Sequence, residues 1–149
     1  MKTKKIQNGM KLEFFSRSVN ESFARTAVAC FAAQLDPTLE EINDIKTAVS
    51  EAVTNCIVHA YPNELGIITV QARIYEGDRL ELTVKDKGIG IPDIRAAREP
   101  LFTTGGSERS GMGFTIMESF MDAVKVRSQA GKGTTLVMMR RIAPRFNTR

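Results

Sequence analysis

The chain has 149 residues, the length of about one domain, with 42% hydrophobic and 26% charged residues, an ordinary balance for a soluble globular protein. No apolar run reaches the about 18 residues of a spanning helix, and none follows the basic start Met1-Lys2-Thr3-Lys4-Lys5, so neither a membrane span nor a signal peptide is expected. The net charge of +4 comes from the ends, Lys2, Lys4, Lys5 and Lys11 against Arg140, Arg141, Arg145 and Arg149, with acids in excess between them; solvated tails are expected rather than a nucleic-acid stripe on the folded body.

Met10–Ser16 has strand composition, with Leu12, Phe14 and Phe15. Ser18-Val19-Asn20-Glu21 fits a capping box and predicts a helix from about Asn20 to Leu35, with Phe23, Ala27, Cys30 and Phe31 on its apolar face. Asp36-Pro37 reads as N-cap and first residue of a second helix. Its apolar stripe is Ile42, Ile45, Val49, Ala52 and Cys56, and it ends near His59-Ala60-Tyr61-Pro62. Cys30 and Cys56 read as buried thiols of a cytoplasmic protein, and with one histidine beside them no zinc site is expected.

The period then changes to two. Ile68, Val70, Ala72 and Ile74 alternate with polar residues, as do Leu80, Leu82 and Val84, and Glu76-Gly77-Asp78 joins the two runs as a hairpin. Residues 86–113 are rich in glycine and turn formers, with a short helical piece near Asp93–Arg98. Phe114–Met121 reads as a helix, and Ala123–Ser128 with Thr134–Met139 as a last strand pair. This order implies an α+β fold, a two-layer sandwich with helices on one face of a mixed, mostly antiparallel sheet. A single domain over 1–149 is expected, with 1–9 and 144–149 as disordered tails.

Four stretches carry chemistry. Glu51, Asn55 and His59 lie four apart on the second helix, with Thr47 extending the row. Asp86-Lys87-Gly88-Ile89-Gly90 follows a strand, placing a carboxylate beside a chain bare enough for close approach. Ser110-Gly111-Met112-Gly113-Phe114 opens a helix, where backbone N–H groups favour an anion, and the Thr-, Gly- and Ser-rich Leu101–Arg109 precedes it. Gly131-Lys132-Gly133-Thr134 begins the last strand. Taken singly, these stretches also read as a polar helix row, a glycine turn, a helix start and a hairpin. A P-loop, a dinucleotide fingerprint and the ordinary protein-kinase motifs are all missing from the sequence.

In this order the four stretches resemble the nucleotide-binding boxes of the GHKL (Bergerat-fold) ATPases. Over Met10–Arg140 the chain is further similar to the anti-sigma-F family of serine protein kinases of spore-forming bacteria. The stretches that carry this are Asn20–Arg25, Ala33–Thr38, Ser50–Asn55, Gly90–Ile94, Pro100–Thr104 and Glu108–Glu118.

The resemblance implies ATP and Mg²⁺ as ligands. Asn55 would hold the Mg²⁺, Asp86 would accept from the adenine amino group, Gly88 and Gly90 would let the chain pass the base, and Thr134 would sit near the same edge. Thr104, Ser110, Gly111, Met112 and Gly113 would close over the phosphates. Arg109, the one cation of the lid Thr103–Gly113, is the candidate γ-phosphate contact. Glu51 would be the general base. His59 is not expected to accept phosphate, because the chain lacks the separate helices that carry such a histidine.

The implied partners are the sigma-F factor, bound in the ATP state, and an anti-anti-sigma antagonist protein phosphorylated on serine. A homodimer is expected, and neither direct nucleic-acid nor membrane binding is. Arg25 is the candidate partner contact on the first helix. The alternatives are a stress-response switch kinase and a nucleotide-gated binding module without transfer. The stretch Thr104-Gly105-Gly106-Ser107-Glu108 is glycine-rich and lacks lysine, so a lysine contact to phosphate is not implied here.

Overall fold

A computed structural model describes residues 5–90 and 113–143. Strand β1 (Ile6–Phe15) leads into helix α1 (Val19–Ala32), a short 3₁₀ turn (Ala33–Leu35) and helix α2 (Leu39–Asn55). Strands β2 (Ile67–Tyr75) and β3 (Arg79–Asp86) form a hairpin, and helix α3 (Gly113–Phe120) precedes the hairpin of β4 (Ala123–Gln129) and β5 (Gly133–Arg141). The sheet order is β1-β2-β3-β5-β4, and all four pairings are antiparallel. α1 and α2 run out and back, so the chain re-enters the sheet where it left it and Phe15 pairs with Ile67. The expected α+β sandwich is therefore present, and no parallel pairing occurs among the described strands.

One face of the sheet is dry. Ile68, Val70 and Ala72 of β2, Leu80, Leu82 and Val84 of β3 and Met138 of β5 are buried with Ala24, Val28 and Ala32 of α1 and Ile45, Val49 and Val53 of α2. Burial of each larger side chain stabilises by about 1.5–3 kcal/mol. No helix among the described residues is long and apolar enough to cross a membrane.

Several sequence expectations shift. β1 begins at Ile6 rather than Met10, so 6–9 are strand instead of tail, and Arg140 and Arg141 belong to β5. Arg140 pairs with Asp44 of α2 at 3.0 Å and donates to the Phe120 carbonyl of α3. The buried face of α1 is Ala24, Val28 and Ala32, and Cys30 is exposed. Small residues let α1 approach the layer beneath, whereas Phe23 stays 52% exposed and meets Phe14 edge to face, with ring centres 6.2 Å apart. Ser18 makes no side-chain cap. Glu21 instead accepts from Ser50 of α2 at 2.5 Å.

α2 is capped by Thr38, not Asp36, which adopts φ 53° in the left-handed region. Thr38 Oγ1 accepts from the Glu41 amide at 3.0 Å, and Glu41 Oε1 accepts from the Thr38 amide at 2.9 Å. Glu41 Oε2 also accepts from the Ala143 amide at 3.0 Å, tying the segment just after β5 to the start of α2. Burial raises the carboxyl's pKa, but these bonds and the Arg140 charge outweigh that and hold it below its usual range. Thr38→Ala should lower stability by about 1 kcal/mol, read as a lower urea midpoint at unchanged m-value.

Candidate nucleotide site

The site is built on the C-terminal half of α2. Glu51 and Asn55 stand one turn apart on one side of this helix, both partly exposed, because the stripe beside them, Ala48, Val49, Ala52 and Val53, is fixed in the core. α3 starts against them. A Cβ built on Gly113 would lie 3.2 Å from Asn55 Nδ2, 3.3 Å from Asn55 Oδ1 and 3.3 Å from Glu51 Oε2. A bare residue at this point keeps the two side chains uncrowded where the helix begins.

At Cys56 the helix widens. Cys56–Ala60 is a π turn, closed by the Tyr61 amide on the Cys56 carbonyl at 3.2 Å. The α-helical part of the row therefore ends at Asn55, and His59 lies within the wider turn.

Asp86 ends β3 beneath this turn and is 9% exposed. Its Oδ1 accepts from the amides of Gly88 at 2.9 Å and Thr134 at 3.2 Å, and its Oδ2 accepts from the Cys56 thiol at 3.4 Å. Burial raises its pKa, and the same three bonds pull against that. The Cys56 thiol is pushed well up, first by burial and then by the neighbouring carboxylate, so it stays a protonated donor. Thr134 is the β5 register partner of Asp86, and its hydroxyl shares a 2.8 Å bond with Ser128.

The glycines of the Asp86–Gly90 loop admit protein backbone. A Cβ at Gly88 would stand 2.2 Å from the Ala60 carbonyl oxygen, and one at Gly90, where φ is 79°, 2.3 Å from that of Gln129. The loop is thus wedged between the π turn and the β4–β5 hairpin. The Ile89 amide donates to Ala60 at 3.1 Å, and the Ile89 carbonyl accepts from Gly131 at 2.7 Å. Gly133 of the last box, at φ 108°, lies against Asp86, where a Cβ would come 2.2 Å from its carbonyl oxygen. The resemblance implies that Gly88 and Gly90 pass the base; in the fold the first neighbours of Gly88, Gly90 and Gly133 are Ala60, Gln129 and Asp86.

Six of the expected residues therefore fall into two contact groups, Glu51 and Asn55 with Gly113, and Asp86 with Gly88 and Thr134, linked by the bond between Asp86 and Cys56, the residue after Asn55, with Gly90 bracing the Asp86 loop. Arg109, Thr104, Ser110, Gly111 and Met112 lie outside the described residues. Arg25 stands apart on α1, its Nε 3.1 Å from Glu21 Oε2 in an ion pair without hydrogen-bond geometry and its Nη2 3.3 Å from Ser22 Oγ. Sequence reasoning did not single out Tyr61 as functional. Its phenol donates to the Ile67 carbonyl at 2.8 Å and accepts from the Lys87 amide at 2.7 Å, beside Asp86. The only sequence signal was its position just past the helix end.

Residues 16–140 match the histidine kinase-like ATPase domain family. The chain is 60% identical over 136 residues to the anti-sigma F factor of Thermoanaerobacter sp. (strain X514), covering 91% of this chain and 94% of that one. It is 57% identical over 140 residues to the anti-sigma F factor of Geobacillus kaustophilus (strain HTA426), covering 93% and 95% respectively. Among solved structures, the RsbU and RsbW domains of a Mycobacterium tuberculosis protein superpose with a TM-score of 0.66 at 18% identity, over 91% of this chain and 32% of that one. The histidine kinase domain of the Erythrobacter litoralis blue-light kinase gives 0.57 at 20% identity, over 82% and 60%. These two share the fold. With the identities to the curated relatives and the residues gathered around α2, the chain belongs to the anti-sigma F factors, within the histidine kinase-like ATPase family.

Proposed function

We propose that the protein is an ATP-dependent serine kinase that sequesters sigma-F and phosphorylates a serine of its antagonist protein. The observation that carries this reading is the meeting of Gly113 with Glu51 and Asn55, next in the chain to Cys56, whose thiol bonds the buried carboxylate Asp86. A base-recognising group and a phosphate-end group then stand on the same rigid helix and sheet.

Asp86 is the acceptor for the exocyclic amine of adenine. It is buried, anchored through Oδ1, and next to Thr134. Asn55 offers an amide oxygen, a hard ligand suited to Mg²⁺. That donor set suits an ion that takes one or two protein ligands plus phosphate oxygens and water. When bound, Mg²⁺ neutralises phosphate charge; holding it is the part of Asn55. Arg109 is assigned to the γ-phosphate, and Thr104, Ser110, Gly111 and Met112 to the phosphate cover.

Glu51 positions the substrate serine and takes its proton. The serine oxygen forms a bond to the γ-phosphorus as the bond to the β–γ bridging oxygen breaks, giving phosphoserine and ADP. Arg25 is assigned to partner binding, held by Glu21, which is itself held by Ser50. Exposed Phe15, Val19, Phe23 and Ile67, around the outer strand β1 and the start of α1, support a homodimer through this region.

The test is incubation with γ-labelled ATP, Mg²⁺ and the antagonist encoded beside the gene. Label on an antagonist serine is the expected result. ATP bound tightly without label would replace the kinase reading with a nucleotide-gated binding module.

A further inference from the structure

The carboxylate assigned to the base is held in place from one side by the π turn. Three successive residues of its loop touch that turn: Asp86 Oδ2 accepts from the Cys56 thiol at 3.4 Å, the Lys87 amide donates to the Tyr61 phenol at 2.7 Å, and Gly88 packs on the Ala60 carbonyl. Tyr61 reaches further. Its phenol donates to the Ile67 carbonyl at 2.8 Å, so one oxygen joins the start of β2 to the end of β3. Space for the ring is set by Gly66, where a Cβ would come 2.1 Å from Tyr61 Cε1. Gly66 is fixed in turn by Ser16, through paired bonds of 2.9 Å to its amide and carbonyl. Tyr61 itself is 8% exposed.

A tyrosine serving only the core needs its ring and one partner for its hydroxyl. Here the hydroxyl is both donor and acceptor, and the amide it holds follows Asp86 directly. The turn also continues from Asn55 without a break, so it sets the distance between the metal-end amide and the base-end carboxylate. We infer that Tyr61 is a positioning residue for base recognition, its phenol and the Cys56 thiol fixing Asp86 relative to α2. This rests on the reading of Asp86 as the adenine acceptor.

The experiment compares the affinities of ATP and inosine triphosphate, which carries a carbonyl in place of the amine that Asp86 would bind, for the parent and for Tyr61→Phe. The parent should prefer ATP. Loss of the phenol should raise the ATP Kd by about three- to tenfold and the inosine triphosphate Kd by less, so that the preference narrows. An equal loss for both nucleotides, or no loss, overturns the positioning role and leaves a core tyrosine. A parent without preference would instead overturn the role of Asp86 itself. Should Tyr61→Phe not fold, Cys56→Ala removes the other contact from the same turn, and an unchanged preference in that variant overturns the proposal.

Discussion

Glu51→Ala should bind ATP as tightly as the parent and transfer phosphate to the antagonist at least about a hundredfold more slowly. The side chain stands on α2 beside Gly113, partly exposed, while the base-end group Asp86 lies beneath the next turn with its own bonds to Gly88, Thr134 and Cys56. Removing Glu51 leaves those bonds untouched, so nucleotide binding has no reason to change. The transfer step loses the group that orients the serine hydroxyl and accepts its proton. Equilibrium dialysis with labelled ATP and a single-turnover transfer assay separate the two effects. Normal turnover would remove Glu51 from the chemistry.

Asn55→Ala should be at least as damaging and should also weaken binding. Phosphoryl transfer depends on positioning and charge neutralisation more than on covalent chemistry by the protein, so loss of the metal-holding amide should cost about a thousandfold in transfer. The distinguishing result is in the binding assay. The parent's ATP affinity should fall when Mg²⁺ is withdrawn, and that of Asn55→Ala should be low with or without the ion. An affinity that still responds to Mg²⁺ in the variant would place the metal ligand elsewhere.

The site was readable in the sequence to the extent that it is local. Glu51 and Asn55 are four apart, and an α-helix must place them on one side once the apolar stripe has chosen its face. Asp86 ends an alternating strand, and the glycines after it mark a chain that passes close to something. What it passes was not readable. Gly88, Gly90 and Gly133 meet the backbones of Ala60, Gln129 and Asp86, residues brought together by the order of the strands. Local rules also gave the wrong caps. Ser18 and Asp36 have suitable side chains, but Ser18 sits in helical backbone and Asp36 in the left-handed region, and the bond goes to Thr38. The buried face of α1 was misjudged for a related reason. Phe23 and Cys30 are more apolar than Ala24, yet small residues win where one helix packs closely on the next layer.

The sequence by itself determined the α+β class, the order of the described elements, the hairpins and the identity of the groups on α2 and at the end of β3, because each follows from periodicity, turn chemistry or spacing within a few residues; the helical piece expected near Asp93–Arg98 lies outside the described residues. Only the tertiary structure decided that every pairing among the described strands is antiparallel, that α2 relaxes into a π turn at Cys56, and that Tyr61 and Cys56 close on the Asp86 loop. The closure on the Asp86 loop depends on contacts between residues about thirty positions apart, such as Cys56 and Asp86, and a π turn lacks the local gain of an α-helix and persists only where packing favours it.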